Sequence, residues 1–143
     1  MVDSKNAPYA ALLLRVSLGA LALAHGLLKI LVFTLAGTVS FFAALGLPAL
    51  LAYATIGIEV VGGLALIAGF YTRYTSIAMI PVMLGAIFFA HWNAGWLFSN
   101  EGGGWEFPAL WVVALGVQAL LGDGAYALKP NALSQRQPAV TTV

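Results

Sequence analysis

The chain has 143 residues, of which 62% are hydrophobic and 8% charged, and its mean hydropathy is +0.96, far outside the range of a water-soluble domain. Six basic and five acidic residues give a formal net charge of +1, which leaves no basic surface to hold nucleic acid. With no cysteine, disulfides, thiolate metal sites, iron–sulfur clusters and CxxC exchange are excluded, so redox work would need a bound or partner cofactor.

Lys5 precedes an apolar run and Ala22-Leu23-Ala24 has the look of a signal-peptide cleavage site. Arg15 interrupts that run, however, and the run is too long for a signal core, so a membrane span is expected instead. A span needs about 20 mostly apolar residues. Segments at about 8–31, 48–70, 75–92 and 105–121 approach this. They lack period-2 alternation and are rich in Ala, Leu and Gly, which predicts an all-α, four-helix transmembrane bundle over residues 1–130. Pro48 and Pro108 fall in first turns, and Pro81 is expected to kink the third span. Between the first two spans, residues 31–47 are broken by Gly37 and Gly46; Thr38 is a candidate cap for a short interfacial or re-entrant helix containing Phe41 and Phe42. Residues 93–104 are polar and glycine-rich, and 131–143 have the composition of a flexible tail.

With both termini on one side, that side carries Lys5, Arg73, Lys129 and Arg136, while the opposite loops carry Glu101. This predicts a multi-pass protein of the bacterial cytoplasmic (inner) membrane with cytoplasmic termini. Tyr71, Tyr74 and Tyr126 then mark the inner boundary, and Trp92, Trp96 and Trp105 the outer one.

An ionisable residue near the bilayer centre costs roughly 2.5 to 3.5 kcal/mol on insertion scales, so each calls for a partner or a purpose. Arg15, Ala22 and Lys29 recur every seven residues on the first span, Gly19 and Gly26 lie beside them, and His25 precedes Lys29 by one turn. Glu59 falls near the middle of the second span, His91 ends the third and Glu106 begins the fourth. The derived orientation puts His25, Lys29, His91 and Glu106 in the outer half, Glu59 below them and Arg15 nearer the cytoplasm. They could share one pocket for a polar headgroup. Simpler readings exist for most: Lys29 snorkels, Glu106 complements a helix N-terminus, His91 is interfacial, His25 donates to a backbone carbonyl, and Arg15 reaches inner headgroups. Glu59 lies about 15 Å from either interface and must pair or protonate, with Arg15, His25 or Lys29 as the expected partner.

At these residues the sequence resembles the DoxX family of small four-helix bacterial membrane proteins. The carriers are Leu14-Arg15 with Gly19, His25-Gly26 with Lys29, Leu45-Gly46-Leu47-Pro48, Glu59 with Gly62-Gly63, Gly69, Arg73, His91 and Gly104-Trp105-Glu106. The resemblance implies a cytoplasmic-membrane protein associated with redox enzymes, similar to a thiosulfate:quinone oxidoreductase subunit or to members of oxidative-stress complexes. The leading expectation is a quinone-interacting module. In it His25 or His91 would hydrogen-bond the ring, Glu59 and Glu106 would exchange protons, and Lys29 would stabilise a reduced anion. Arg15 and Trp105 complete the expected binding set, with no metal and no covalently bound cofactor; the electron donor would be a partner protein, and a homo-oligomer is compatible with this. The alternatives are a non-catalytic structural or assembly subunit, a small-molecule carrier, and a haem protein using His25 and His91, for which two histidines are a weak signal. For the topology, a thiol introduced at Asn100 is expected to react with an impermeant reagent from outside and one at Ser134 from the cytoplasmic side; the reverse pattern would overturn both the orientation and the outer placement of the cluster.

Overall fold

Runs of Ala and Leu with a proline in the first turn favour a long helix, and in the computed structural model, which describes residues 3–128, α1 runs Ala7–Leu31. Lys129, Arg136 and the expected tail lie outside the described residues. α2 (Thr34–Ala44) follows, then α3 (Ala49–Ala68), entered from an extended Pro48. Gly69 ends α3 in the left-handed region at φ 74°, and the Phe70 N–H closes on the Ala65 carbonyl at 2.8 Å, a glycine C-terminal cap. α4 (Thr72–Gly85) continues as a π turn, Ala86–His91, and a 3-10 turn, Trp92–Ala94. α5 is Glu106–Leu121. Among the described residues the protein is thus all-α.

Three helical segments are long and apolar enough to cross a membrane: Ala7–Leu31, Ala49–Ala68 and Thr72–Ala94. α5, expected as a fourth span, has 16 residues, about 24 Å against a hydrocarbon core of about 30 Å. Leucines such as Leu13, Leu50 and Leu120, 71%, 74% and 82% exposed, suit contact with lipid.

One sequence expectation changes. Thr38 does not cap α2, which begins four residues earlier; it is buried inside that helix and its hydroxyl donates to the Lys29 carbonyl at 2.9 Å, satisfying an orphan acceptor at the end of α1. Pro81 lies inside α4, within the expected third span, and a π turn follows at Ala86–His91.

α1 and α3 meet backbone to backbone. A Cβ on Gly19 would sit 2.7 Å from the Gly63 carbonyl oxygen, and one on Gly63 would sit 2.7 Å from the Leu23 nitrogen. Such small-residue contacts are what allow membrane helices to approach closely. α4 and α5 pack beside this pair, and Leu18, Ala22, Leu66, Met79, Met83, Trp111 and Leu115 form the core between them. Gly63→Val is expected to lower stability by about 1–3 kcal/mol through overpacking. Gly57, with nothing within 4 Å of a built Cβ, should accept alanine without loss. Unfolding of both variants in detergent checks this, and equal stability would show that the α1–α3 contact is not close.

Candidate functional site: a polar cavity beside an apolar groove

One helical turn separates His25 from Lys29, so both project from the same side of α1. Gly26 lies between them, where a Cβ would be 3.2 Å from the Cβ of Glu59. That close approach brings the α3 carboxylate within reach of Lys29. Lys29 Nζ donates to both Oε1 and Oε2 of Glu59 at 2.8 Å, with side chains 19% and 3% exposed, respectively. Lys29 therefore turns inward and does not snorkel.

His25 Nδ1 donates to the Leu21 carbonyl at 2.9 Å, and its ring packs against Trp111 at a centroid distance of 5.2 Å. The backbone bond expected of His25 and a place in the site therefore coexist. His91 ends the π turn, and its Nδ1 donates to the Gly103 carbonyl at 2.7 Å. The connection from α4 to α5 folds over this end through N–H bonds from Gly104 to Leu97, Trp105 to Gly95 and Glu106 to Trp96, all 3.0–3.1 Å. Glu106 pins it further, its Oε1 accepting the Phe98 N–H at 2.7 Å.

Together these groups enclose a cavity of about 400 Å³, with His25, Lys29, Glu59 and His91 as its polar lining and Met83, Phe98, Phe107 and Trp111 among its apolar walls. This volume is in the range of small-ligand sites. The Trp111 ring lines this cavity, and its indole N–H is buried without a hydrogen-bond partner among the described residues, an unmet donor that carries a cost. Along the outside of α5 runs an apolar groove of about 650 Å³, lined by Trp96, Leu110 and Val113 and sharing Phe98 and Phe107 with the cavity. The two shared rings lie 5.9 Å apart. Leu110 and Val113 are 65% and 62% exposed, so the groove opens on the outside of the helix bundle.

Of the sequence-predicted site residues, His25, Lys29, Glu59 and His91 come together. Glu106 lines the groove and fixes the loop, outside the cavity. Trp105 does not line it either; it stacks on Trp92 at 5.9 Å and meets Trp96 edge-on at 4.5 Å. Arg15 is at the opposite end, 14 residues before Lys29 on α1 and so about 21 Å away along the axis. It is 1% exposed and donates to the carbonyls of Asp123 and Ala125 at 2.8 and 3.3 Å, so it neither joins the cavity nor reaches headgroups. Among the described residues no three His, Asp or Glu side chains are grouped to hold a metal ion. Phe98, Phe107 and Trp111 were not foreseen. Trp111 carries a readable signal, being a tryptophan inside an expected span, away from either expected belt, whose N–H calls for a partner.

The DoxX family model matches residues 10–92. The chain belongs to the DoxX family. It is also 32% identical over 127 residues to a protein named "Putative oxidoreductase CatD" from Bacillus subtilis (strain 168), covering 89% of this chain and 90% of the relative. No solved structure shows significant similarity to it. In this DoxX protein the family match includes His25, Lys29, Glu59 and His91, whereas Trp111 and most of the closing loop lie beyond it.

The ion pair should dominate the stability of this end. Glu59→Gln leaves a half-buried ammonium and Lys29→Met a buried carboxylate, and each is expected to cost about 3–5 kcal/mol, whereas replacing both together by Leu and Met should cost markedly less. Unfolding in detergent measures the cycle, and additive losses would show that the two groups do not depend on each other.

Proposed function

We propose that this DoxX protein is a quinone-interacting module of the bacterial cytoplasmic membrane, working with a separate redox partner protein. The observation that carries the reading is that a polar cavity and an apolar groove on the outside of α5 lie side by side, sharing the wall formed by Phe98 and Phe107. A membrane quinone has a polar ring and an apolar tail, and the two compartments match those parts. Lys29 is the donor that faces the cavity, and the buried Trp111 N–H, on a ring that lines it, would reach a ring oxygen on rotation of the indole. Glu59, held by Lys29, and Glu106, on the groove, are the carboxylates available for proton exchange, and Lys29 would stabilise a reduced anion. The word oxidoreductase in the name of the Bacillus relative accords with a redox setting.

The same reading takes α5 as a fourth, shorter span, α2 as an interfacial helix and the 95–105 connection as an outer cap, with the termini cytoplasmic. α2 has 11 residues, about 16 Å, too short to cross. The apolar layer of Leu18, Ala22, Leu66, Met79, Met83 and Leu115 favours a ligand site entered from one side over a through-channel.

Protein reconstituted in nanodiscs is expected to bind a decyl-tailed benzoquinone at one site per chain. Trp111→Phe, which removes one donor, should weaken it about three- to tenfold, and Val113→Trp should slow its association by obstructing the groove. A titration showing no saturable binding would end the proposal, and unchanged binding in Trp111→Phe would move the ring elsewhere.

A further inference from the structure

Two backbone carbonyls fix the direction of hydrogen bonding in the cavity. A carbonyl oxygen can only accept, so the Nδ1 atoms that meet Leu21 and Gly103 must both carry protons. In a neutral imidazole the other nitrogen is then a bare lone pair. It lies across the ring from the anchored Nδ1, and both rings line the cavity. Each histidine therefore offers Nε2 as an acceptor, and neither can switch tautomer without giving up its carbonyl.

The remaining polar groups complete the inventory. Lys29 and Glu59 engage each other through both carboxylate oxygens, so their charges cancel and the cavity favours an uncharged occupant. The third proton of the Lys29 ammonium and the buried, unpartnered Trp111 N–H are donors. A quinone ring has acceptor oxygens alone. It would satisfy those two donors while leaving both imidazole lone pairs unmet or facing its own carbonyls. The corresponding hydroquinone has two O–H groups, each able to donate to an imidazole and to accept from Trp111 or Lys29 at the same oxygen.

We infer that the cavity is built for the reduced, dihydroxy form of the ring and holds a hydroquinone more tightly than the quinone with the same substituents. This rests on the proposed quinone site and adds its redox preference. Two additional hydrogen bonds correspond to about tenfold or more in affinity. Because selective binding of the reduced form raises a bound couple's midpoint potential, a tenfold preference shifts this two-electron couple up by about 30 mV.

The test compares three probes under anaerobic conditions on the full chain in nanodiscs: a decyl-tailed dimethoxy-methyl-benzoquinone, its hydroquinone, and the dimethyl ether of that hydroquinone, which keeps the ring but has no O–H. The expected result is a hydroquinone at least about tenfold tighter than the quinone, with the ether no better than the quinone. His25→Phe and His91→Phe should each remove much of the hydroquinone's advantage, and the wild-type comparison stands even where a variant does not fold. Equal affinities, a tighter quinone, or an ether that binds as well as the hydroquinone would overturn the preference while leaving the quinone site in place. Failure of all three probes to bind would overturn the site and the preference together.

Discussion

A carboxylate in the middle of a hydrocarbon layer needs a cation close enough to share its charge, and the half of this protein that holds the cavity is organised around meeting that need. Glu59 has a short side chain on α3 and Lys29 a long one on α1, and their 2.8 Å contacts require the two helices to be nearer than ordinary side chains permit. Gly19, Gly26 and Gly63 provide that approach, since a Cβ at any of them would collide with the neighbouring helix. The crossing and the ion pair are thus one device. Glycine removes the steric barrier, and the pair makes the resulting contact specific in a solvent where apolar packing alone discriminates poorly.

The Arg15 end solves the same problem differently and is separated from the cavity by the apolar core layer. Arg15 gives its protons to the carbonyls of Asp123 and Ala125 beyond α5, while the Asp123 side chain accepts the Thr72 N–H at the start of α4. The first, fourth and fifth helices are tied together there by charge-assisted bonds to backbone. The cavity end has a different set of polar groups: two imidazoles fixed by one nitrogen each, a closed ion pair and an unpartnered indole N–H. Buried polar atoms without partners also occur at the Arg15 end, at Thr72 Oγ1, Ser76 Oγ and Gln118 Oε1, so it is the cavity of about 400 Å³ that sets the Lys29 end apart as a candidate ligand site.

What could be read in the sequence followed from two rules, the helical period and the cost of charge in lipid. They suffice to put His25 and Lys29 on one side of α1, to demand a partner for Glu59, and to place His91 at the same end. They do not decide between Lys29 and Arg15 as that partner, because both recur on the seven-residue repeat; the choice is made by where α3 crosses α1, which depends on contacts between two backbones. Asp123 gave no cue, as its role needs Arg15 and Thr72, 108 and 51 residues away in the chain. The 93–104 segment looked like an uninvolved loop because glycines and polar residues score as coil. Its order comes from hydrogen bonds within itself and from Glu106, whose side chain reads as helix-terminal charge until the Phe98 N–H is found against it. The start of α5 at Glu106, one residue after the expected 105, has a local cause. Trp105 sits at its N-cap and is held in the aromatic stack with Trp92 and Trp96, so the helix cannot extend toward the loop.

The groove on α5 bears on how selectivity would arise. Transfer of an alkyl chain from lipid to a channel lined by Leu110, Val113 and Phe107 exchanges one apolar surface for another, so it supplies little net free energy. In water the same groove would contribute strongly through apolar burial. In a bilayer its contribution is geometric: it brings a tailed molecule to the wall where Phe98 and Phe107 meet and presents the head to the cavity. Discrimination must then come from the polar groups, where an unmet donor or acceptor carries a desolvation cost that lipid cannot relieve. The fixed histidine tautomers and the indole N–H of Trp111 therefore weigh more than the larger apolar area, and a ligand of this site would be chosen by the pattern of its hydroxyls and carbonyls, with the tail determining its route of entry.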